Sequence, residues 1–364
     1  MKDGFHIVVE VEDSSITFSI LLVQEKSYGL LADVSLKHRI LPTNGLTEVE
    51  INKITAILAR GFTELADKAN RELERTGKIK KGTKNKIKIA SAAAIVYSPW
   101  FQSEVKGDIG VGNKGVVISK KAVDEALVYE NGDRVALETF VANIKLNGYE
   151  VSDPLNKKSN DVRAEAYFYT VEQSFYQCLE HEIAFHVGEK PKIMTFPKAC
   201  SLFAFEYQMG PTLFINIENE TTCIVAVTPK SNISKYPTYS FETLDLGLDQ
   251  IIKKVMEKSG SEKEVALSYV SLLNEDMLTT DASALIKGAY EEAMGDWREK
   301  VEITLQKTGL LGRFAGHKKI ILSRDHKWNS TFGKILSTKL PENDQFDTTT
   351  TIEQVVFESS LIRV

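Results

Sequence analysis

Two short polar segments, each between apolar runs of β type, hold the residues of this chain that could ligate a divalent cation. Glu12–Ser15 (Glu-Asp-Ser-Ser) separates Ile7–Val11 from Ile16–Val23. A second pair of β runs lies in Leu213–Val227, around Glu218–Thr221 (Glu-Asn-Glu-Thr). Mg²⁺ and Ca²⁺ prefer oxygen ligands, so the acidic side chains of these segments permit cation binding. Two such hairpins in one chain also predict an internal duplication of lobes.

The histidines His181 and His186, with Glu182 beside the first, invite comparison with the HExxH motif of zinc proteases. In that motif the histidines stand four residues apart on one helix face. Here they stand five residues apart, which places them about 140° apart around a helix. A shared metal ion is therefore not expected, and both are predicted to be ordinary core or surface histidines.

The common nucleotide and hydrolase motifs are missing from the sequence, which contains no GxSxG, no GxxxxGK[ST] and no GxGxxG. Trp100, Trp297 and Trp328 are far apart in the sequence. Grooves for single-stranded nucleic acid need aromatic residues interleaved with basic ones. We therefore predict that each Trp packs in a core or at a domain interface.

The composition is that of a folded protein without an overall attraction to nucleic acid. The 364 residues are 43% hydrophobic and 26% charged, with a formal net charge of −5 and a pI of about 5.8. That length favours two or three compact units. The basic run from Lys78 to Lys88 is expected to be a solvated loop, with contact to anionic lipid or nucleic acid as the alternative.

The cysteines and the N-terminal residues predict a cytoplasmic protein. Cys178, Cys200 and Cys223 are odd in number and lack CxxC spacing, so neither a disulfide framework nor a zinc ribbon is expected. The first residues run directly into a strand pattern without signal-peptide features. No apolar run approaches the roughly 20 residues that span a bilayer.

Apolar periodicity predicts strands and helices around the two polar segments. The clearest helix begins at Thr47, which forms a capping-box pattern with Glu50, and it ends near Gly77. Ile87–Tyr97 is predicted to be a strand buried on both faces, and the section from there to Thr170 a small α+β insertion. Helices are also predicted at 123–129, 175–185, 200–207, after 241, from 262 to 307 and at 330–337, and strands at 192–196 and 319–322.

In this order the segments resemble the bacterial actin-like family, in its FtsA (cell division) and PilM (type IV pilus assembly) branch, over nearly the whole chain. Val9–Ile16 stands where that family has its first phosphate loop, and Phe214–Thr222 where it has its second. Further similarities cover the inserted domain and the last lobe: Ala93–Pro99, Ile118–Leu127, Asn143–Pro154, Arg163–Thr170, Leu246–Asp249 and Ile320–Asp325.

The resemblance implies an α/β, actin-like (ribonuclease H-like, duplicated) two-lobe fold with a small inserted α+β subdomain. In this family the two hairpins hold nucleotide phosphates and Mg²⁺ between them. The implied boundaries are residues 1–103 and 173–209 for the first lobe, 104–172 for the inserted subdomain, 210–257 and 318–364 for the second lobe, and 258–317 for a helical subdomain.

The phosphate loops of this chain depart from the family pattern. Glu10 and Asn216 take the positions of the family's two Asp residues, and Glu12, Glu218 and Glu220 are among the residues that replace its glycines. Those glycines let backbone N–H groups approach phosphate, whereas carboxylates repel it. The cofactor-binding positions that the resemblance implies are Glu10, Asp13, Ser14, Ser15, Asn216, Asn219, Thr221, Thr222 and Gly247; it implies no catalytic residue and no metal ligand.

The adenosine-side turn departs in the same way, because Ser323, Arg324 and Asp325 replace the glycine pair on which an adenine ring lies. Loss of ATP and Mg²⁺ binding is the expected consequence. The alternative is that binding is retained through the hydroxyls Ser14, Ser15, Thr221 and Thr222. The last fifteen residues hold one Arg and no Lys, so a basic amphipathic membrane anchor of the FtsA kind is not expected.

The sequence therefore predicts a non-enzymatic or weakly nucleotide-dependent adaptor for a membrane-associated bacterial assembly, in cell division or pilus assembly. Its expected partners are proteins of such an assembly, with self-association as an option and no nucleic acid. Its expected location is the cytoplasm, at the inner face of the membrane through a partner. The alternatives are an active ATPase or filament-forming protein with atypical loops, a small-molecule kinase of the same superfold, and divalent-cation binding without nucleotide.

Overall fold

The computed structural model describes residues 3–24, 27–40, 42, 45–79, 87–111, 115–129, 132–151, 154–228, 238–274, 277, 283–310, 314, 316–324, 327–337 and 345–361. The strands are β1 (Gly4–Val11), β2 (Ser15–Gln24), β3 (Ser27–Lys37), β4 (Ile89–Val96), β5 (Gln102–Gly110), β6 (Val116–Val117), β7 (Arg134–Leu146), β8 (Tyr149–Glu150), β9 (Lys158–Ser159), β10 (Val162–Glu172), β11 (Lys192–Thr195), β12 (Thr212–Ile217), β13 (Thr222–Thr228), β14 (Thr238–Leu244) and β15 (Lys318–Ser323). The helices are α1 (Glu48–Arg75), α2 (Lys120–Ala126), α3 (Gln173–Val187), α4 (Phe196–Glu206), α5 (Leu248–Ser259), α6 (Lys263–Asn274), α7 (Ser283–Lys307), α8 (Lys327–Ser337) and α9 (Ile352–Leu361).

The chain divides into two compact units. Unit 1 takes in the described residues of 1–202, 230–238 and 356–364, and unit 2 those of 203–229 and 239–355. The end of α9 belongs to unit 1, where the ring of Phe357 packs edge-on against Tyr28 at 6.0 Å between centroids. The finer division into four subdomains stays a prediction.

The main sheet of unit 1 has the strand order β11-β4-β1-β2-β3. β1 and β2 form the predicted antiparallel hairpin, and β4 lies parallel to β1 on its other side. α1 packs on this sheet through an apolar stripe that includes Phe62, whose ring contacts Phe18 of β2 at 5.2 Å. The capping box of Thr47 and Glu50 is present at the start of α1, as the sequence predicts.

The insertion in unit 1 is built on a second sheet, with the order β5-β10-β7-β8. The short strands β6 and β9 pair with each other beside it. Its apolar core is formed by Val111, Ile118, Val123, Leu127, Ile144, Val162, Ala164, Ala166 and Phe168. The insertion therefore has a core of its own, and it combines strands with a helix, as the sequence predicts.

Unit 2 is built on a sheet with the order β14-β13-β12-β15. β12 and β13 form the second predicted hairpin, and β15 lies parallel to β12. Helices α5 and α7 pack beside the sheet, with the fully buried Trp297 of α7 in the same core as Ile252 of α5. Each unit thus begins its sheet with an antiparallel hairpin followed in space by a parallel strand.

Several elements differ from the sequence-based expectation. β3 and β14 are strands at sheet edges that are not among the predicted strands, and β7 is a long strand within the predicted α+β insertion. The helical pattern predicted after Phe241 begins only at Leu248, because Thr238–Leu244 pairs with β13 as β14. The basic run from Lys78 to Lys88 lies mostly outside the described residues, since 80–86 are not among them.

Candidate functional site: the two hairpin turns

The first turn joins β1 to β2 and is fixed by backbone hydrogen bonds. The N–H of Glu12 donates to the carbonyl of Ser15 at 2.9 Å, which closes the turn. On one side the N–H of His38 donates to the carbonyl of Ser14, and on the other the N–H of Tyr97 donates to the carbonyl of Val11, both at 2.9 Å. The segments after β3 and β4 thus hold the turn from both sides.

Side chains of unit 1 donate hydrogen bonds to two of the carboxylates at this turn. The hydroxyl of Tyr97 donates to Glu10 Oε2 at 2.9 Å, and Glu10 is only 1% exposed. The hydroxyl of Ser15 donates to Glu12 Oε2 at 2.6 Å. The indole N–H of Trp100 donates to the backbone carbonyl of Glu12 at 2.6 Å. Hydrogen bonding explains how these polar groups can be buried.

Aromatic packing surrounds the first turn. The ring of Trp100 lies 5.4 Å from the ring of His38 and stacks on Phe175 at 4.8 Å. Burial lowers the pKa of His38, and the backbone carbonyls of Glu12 and Ser15, which raise it, do not outweigh burial. A neutral His38 is therefore the form that suits this packing.

The second turn joins β12 to β13 and is fixed by the start of α5. The N–H of Glu218 donates to the carbonyl of Thr221 at 2.8 Å, which closes the turn. The N–H groups of Leu248 and Asp249 donate to the carbonyls of Glu218 and Asn219, at 3.0 and 2.7 Å. The first N–H groups of a helix have no partner within the helix and commonly bind anions. In α5 the N–H groups of Leu248 and Asp249 are instead bound by carbonyls of the turn.

Gly247 allows this close contact between the turn and the helix. A Cβ at Gly247 would lie 2.5 Å from the carbonyl oxygen of Asn219 and 2.6 Å from that of Glu218. The N–H of Gly247 donates to Gln250 Oε1 at 2.7 Å, and Gln250 Nε2 donates to the carbonyl of Glu220 at 3.3 Å. Gly247 is therefore required for packing of backbone against backbone.

Side chains behind the second turn are buried and linked by hydrogen bonds. Asn216 Nδ2 donates to Glu218 Oε1 at 3.0 Å, and both residues are buried. The hydroxyl of Thr222 donates to the carbonyl of Leu246 at 2.6 Å and accepts the indole N–H of Trp297 at 3.0 Å. Asn216 Oδ1 is buried without a partner in the described part of the chain. As an acceptor, this oxygen could bind a donor but not a phosphate oxygen.

The third candidate turn follows β15. The hydroxyl of Ser323 donates to Asn329 Oδ1 at 2.7 Å, and Asn329 Nδ2 donates to the carbonyl of Thr350 at 3.3 Å. Both Ser323 and Asn329 are buried. Asp325, which the sequence also places at this turn, lies outside the described residues.

The structure gathers the sequence-predicted site residues into two groups, one in each unit. Glu10, Asp13, Ser14 and Ser15 lie at the first turn, and Asn216, Asn219, Thr221, Thr222 and Gly247 lie at the second. Sequence reasoning missed the side chains that hold the turns, namely Tyr97, Trp100, His38, Gln250 and Trp297. Trp100 and Trp297 are buried as predicted, but their hydrogen bonds to the hairpins leave no signal in the sequence.

Both turns carry buried carboxylates. Glu10, Glu12, Asp13 and Glu218 are all at most 6% exposed. A phosphate placed against them would meet carboxylates in a medium of low polarity, where repulsion is strong. The residues present therefore do not fit Mg²⁺-ATP in the way that the glycine loops of the family do.

The remaining motif, His181 to His186, lies on α3. Glu182 Oε1 lies 3.3 Å from His181 Nδ1, and the His186 ring stacks on Phe62 of α1 at 4.8 Å. Among the described residues, no group of three or more His, Cys, Asp or Glu side chains is arranged to hold a metal ion. No helix in that part of the chain is long and apolar enough to cross a membrane.

No protein-family model matches the sequence, and no curated protein matches it. Solved structures do match the fold. The PilM–PilN type IV pilus biogenesis complex matches with a TM-score of 0.54 at 13% identity, covering 98% of this chain and 94% of that one. The ethanolamine utilization protein EutJ from Carboxydothermus hydrogenoformans matches with a TM-score of 0.50 at 9% identity, covering 100% and 91%. The chain thus has the α/β, two-lobe actin-like fold that the sequence predicts, and its fold is similar to that of PilM.

Proposed function

We propose that this chain is a protein-binding adaptor of the actin-like fold that acts without ATP turnover in a membrane-associated bacterial assembly. The observation that carries the proposal is the pair of hydrogen bonds from Leu248 and Asp249 to the second turn. A phosphate at this helix N-terminus would need the same two N–H groups. The turn would have to separate from α5 before nucleotide could bind there.

The buried carboxylates support the same conclusion. Glu10 and Glu12 accept hydrogen bonds from Tyr97 and Ser15, so one oxygen of each carboxylate is bound within unit 1. In unit 2 Glu218 accepts from Asn216. The nine predicted cofactor positions are accordingly proposed to be structural parts of two closed hairpins.

A protein partner is the second half of the proposal. PilM, whose fold is similar, is part of a complex with PilN. In this chain the inserted part of unit 1, proposed to span residues 104–172, exposes large apolar side chains that a partner could cover. They are Val105, Val117, Val128 and Tyr149, which are 50%, 52%, 64% and 78% exposed. We propose that this part binds a protein at the inner face of the membrane, in pilus assembly or cell division.

Calorimetric titration with Mg²⁺-ATP, combined with a phosphate-release assay, tests the first half of the proposal. The expected result is no binding heat at submillimolar nucleotide and no sustained release. Separate titrations with MgCl₂ and CaCl₂ measure cation binding without nucleotide. Micromolar affinity for Mg²⁺-ATP with multiple turnovers would instead establish the ATPase alternative.

Cross-linking in native cells tests the second half. In one variant the four exposed residues Val105, Val117, Val128 and Tyr149 are changed to Ser, and the membrane proteins cross-linked to the tagged full chain are compared with those of the wild type. The matched control changes exposed apolar residues of unit 2 to Ser, namely Val265, Leu267, Leu285 and Ile303. Only the first variant is expected to lose its partner. Equal loss in both variants, or in neither, would contradict the assignment.

A further inference from the structure

β3 is the edge strand of the main sheet in unit 1. Its only neighbour among the described strands is β2. The register passes from the pair Ile20 and Ala32 to the pair Leu21 and Leu30, which leaves Leu31 as an extra residue. The bulge interrupts the strand at Leu31. After it, residues 32–37 form an extended segment without a further interruption.

The backbone groups of alternate β3 residues point away from β2. The N–H of His38 donates to the carbonyl of Ser14 and therefore faces the hairpin. Because antiparallel strands alternate the direction of their backbone groups, those of Asp33, Ser35 and Lys37 face outward. Lys68 of α1 supports this assignment, because its ammonium reaches the carbonyl oxygen of Asp33 at 2.7 Å.

A groove of about 460 Å³ runs along this edge. One wall consists of β3 residues and the other of residues at helical spacing on α1. The lining residues are Asp33, Val34, Ser35, Glu64, Asp67, Lys68 and Arg71. An edge strand beside a helix is a setting in which an added strand gains backbone hydrogen bonds on one side and side-chain contacts on the other.

The charges along β3 would be complementary to those of β3 in a second, antiparallel copy of the chain. A two-fold axis through Ser35 would pair Ser35 with its own copy and Asp33 with Lys37 of the second copy, twice. The pairs on the other face of the strand would be Val34 with Leu36, which are both apolar and partly buried. Opposite charges and apolar pairs directly across two strands are stabilising, whereas like charges are destabilising.

The flank of α1 follows the same symmetry. The two-fold axis sets α1 antiparallel to its copy, so the acidic residues Glu64 and Asp67 of one chain approach the basic end of the other. Arg71 makes no ion pair within the described residues; its Nε donates only to the carbonyl of Asp67, at 3.3 Å. A carboxylate from a second copy would complete the charge pairing of this flank.

We propose that two copies of this chain pair through β3 about a two-fold axis at Ser35 and so form one continuous sheet. A closed two-fold pairing uses the same surface on both chains and ends there, so it gives a dimer instead of a filament. This dimer would bring two copies of any partner-binding surface together. Pairing through β3 does not require nucleotide.

Disulfide trapping tests the register. In the proposed pairing the two Ser35 Cα atoms would be about 5.5 Å apart, within the range of about 4.4 to 6.8 Å that a disulfide requires. Ser35→Cys should therefore give a disulfide-linked dimer of the full chain on mild oxidation. Lys37→Cys is the matched control, since its two copies would be four residues, or roughly 13 Å, apart. The native cysteines are buried and should not interfere.

A charge swap tests the pairing without cysteine. By sedimentation velocity, Asp33→Lys should weaken the dimer about tenfold or more, because the introduced ammonium would face Lys37 of the second copy. The double variant Asp33→Lys with Lys37→Asp should restore it, although the contact of Asp33 with Lys68 stays lost. Circular dichroism verifies that each variant is folded. If Lys68 and the bulge instead protect the edge from pairing, the wild type will be a monomer. A monomeric wild type would overturn the proposal, as would failure of the double variant to restore the dimer.

Discussion

The two hairpin turns have the same strand–turn–strand plan, but they are held in different ways. In unit 1 the backbone N–H groups of His38 and Tyr97 bind the turn, and side chains add to them. Tyr97 also binds Glu10 through its hydroxyl, Ser15 binds Glu12, and Trp100 binds the carbonyl of Glu12. In unit 2 backbone holds the turn, because the N–H groups at the start of α5 bind the carbonyls of Glu218 and Asn219. The first turn therefore depends on several separate contacts, whereas the second depends above all on the close approach of two backbones at Gly247, which has no side chain.

The difference predicts how each turn would respond to substitution. A hydrogen bond from a side chain can be removed singly, at a cost of about 1 kcal/mol, or more if a buried partner is left unsatisfied. A contact between two backbones has no room for relaxation, so any added atom must move the turn or the helix. The second hairpin should therefore be the more sensitive of the two to a single change.

Gly247→Ala should have the largest effect. The new Cβ would overlap two carbonyl groups of the turn, while the extended backbone at Gly247, with φ of −130°, would accept alanine without strain. The free energy of unfolding should fall by about 3 kcal/mol, near the upper end for overpacking. Urea denaturation measures it, and hydrogen exchange at Leu248 and Asp249 should accelerate in parallel.

Gly295→Ala provides the control for that change in the same unit. Gly295 is exposed within α7, and no atom lies within 4 Å of the position of its Cβ. Alanine in a helix interior is more favourable than glycine by about 1 kcal/mol, so this variant should be slightly more stable than the wild type. Equal stability of the two variants would show that the turn and α5 are not tightly packed.

Trp100→Phe should have an intermediate effect at the first hairpin. Phenylalanine keeps an aromatic ring against Phe175 but removes the N–H that donates to the carbonyl of Glu12. Loss of this buried hydrogen bond should cost about 1 to 2 kcal/mol of unfolding free energy.

Trp328→Phe is the matched control for the loss of ring volume. Trp328 stacks on Phe332, and its indole N–H makes no hydrogen bond within the part of the chain that the structure describes. Denaturation curves of both variants should show the larger loss at Trp100. The reverse order would mean that ring packing, and not the hydrogen bond, holds the first turn.

Much of the fold could be predicted from sequence because apolar spacing is a local signal. The stripe of α1 and the two hairpins follow from it, and their order indicates the actin-like fold that the structural comparison confirms. β3 was missed although Ala32–Lys37 alternates strictly between apolar and polar residues, which is typical of a strand; the preceding residues, Ser27–Leu31, do not follow that pattern.

The residues at the turns could be predicted, but their partners could not. Glu12 and Glu218 stand out because they are carboxylates at positions where the resemblance to actin-like proteins predicts glycines. Nothing in the sequence around Tyr97 or Trp100 indicates that they donate hydrogen bonds to Glu10 and Glu12, which precede them by 87 and 88 positions. The contact of Gly247 with the second turn likewise appears only when α5 and the hairpin are placed together.

The smallest predicted effect concerns pH and again separates the two hairpins. Burial lowers the pKa of His38 below its usual value of 6.5, although the backbone carbonyls of Glu12 and Ser15 oppose this. Above pH 6.5 both the folded and the unfolded chain carry a neutral His38, so it contributes no pH dependence. As the pH falls below 6.5 the unfolded chain binds a proton first, and stability decreases by at most about 1.4 kcal/mol per pH unit.

His38→Asn should remove this part of the pH dependence, because asparagine does not titrate. Its side-chain oxygen can replace Nδ1 as the acceptor for the N–H of Ile40, at 3.3 Å in the wild type. Unfolding free energies between pH 7 and pH 5 for the wild type and the variant give the difference in slope. Hydrogen exchange then shows which part of the chain loses stability. As the pH is lowered, protection at the first turn should decrease in the wild type only, while Leu248 and Asp249 should behave alike in both proteins. A pH-dependent loss shared equally by both turns would mean that protonation of His38 destabilises the whole chain, and the two hairpins would then not be independent.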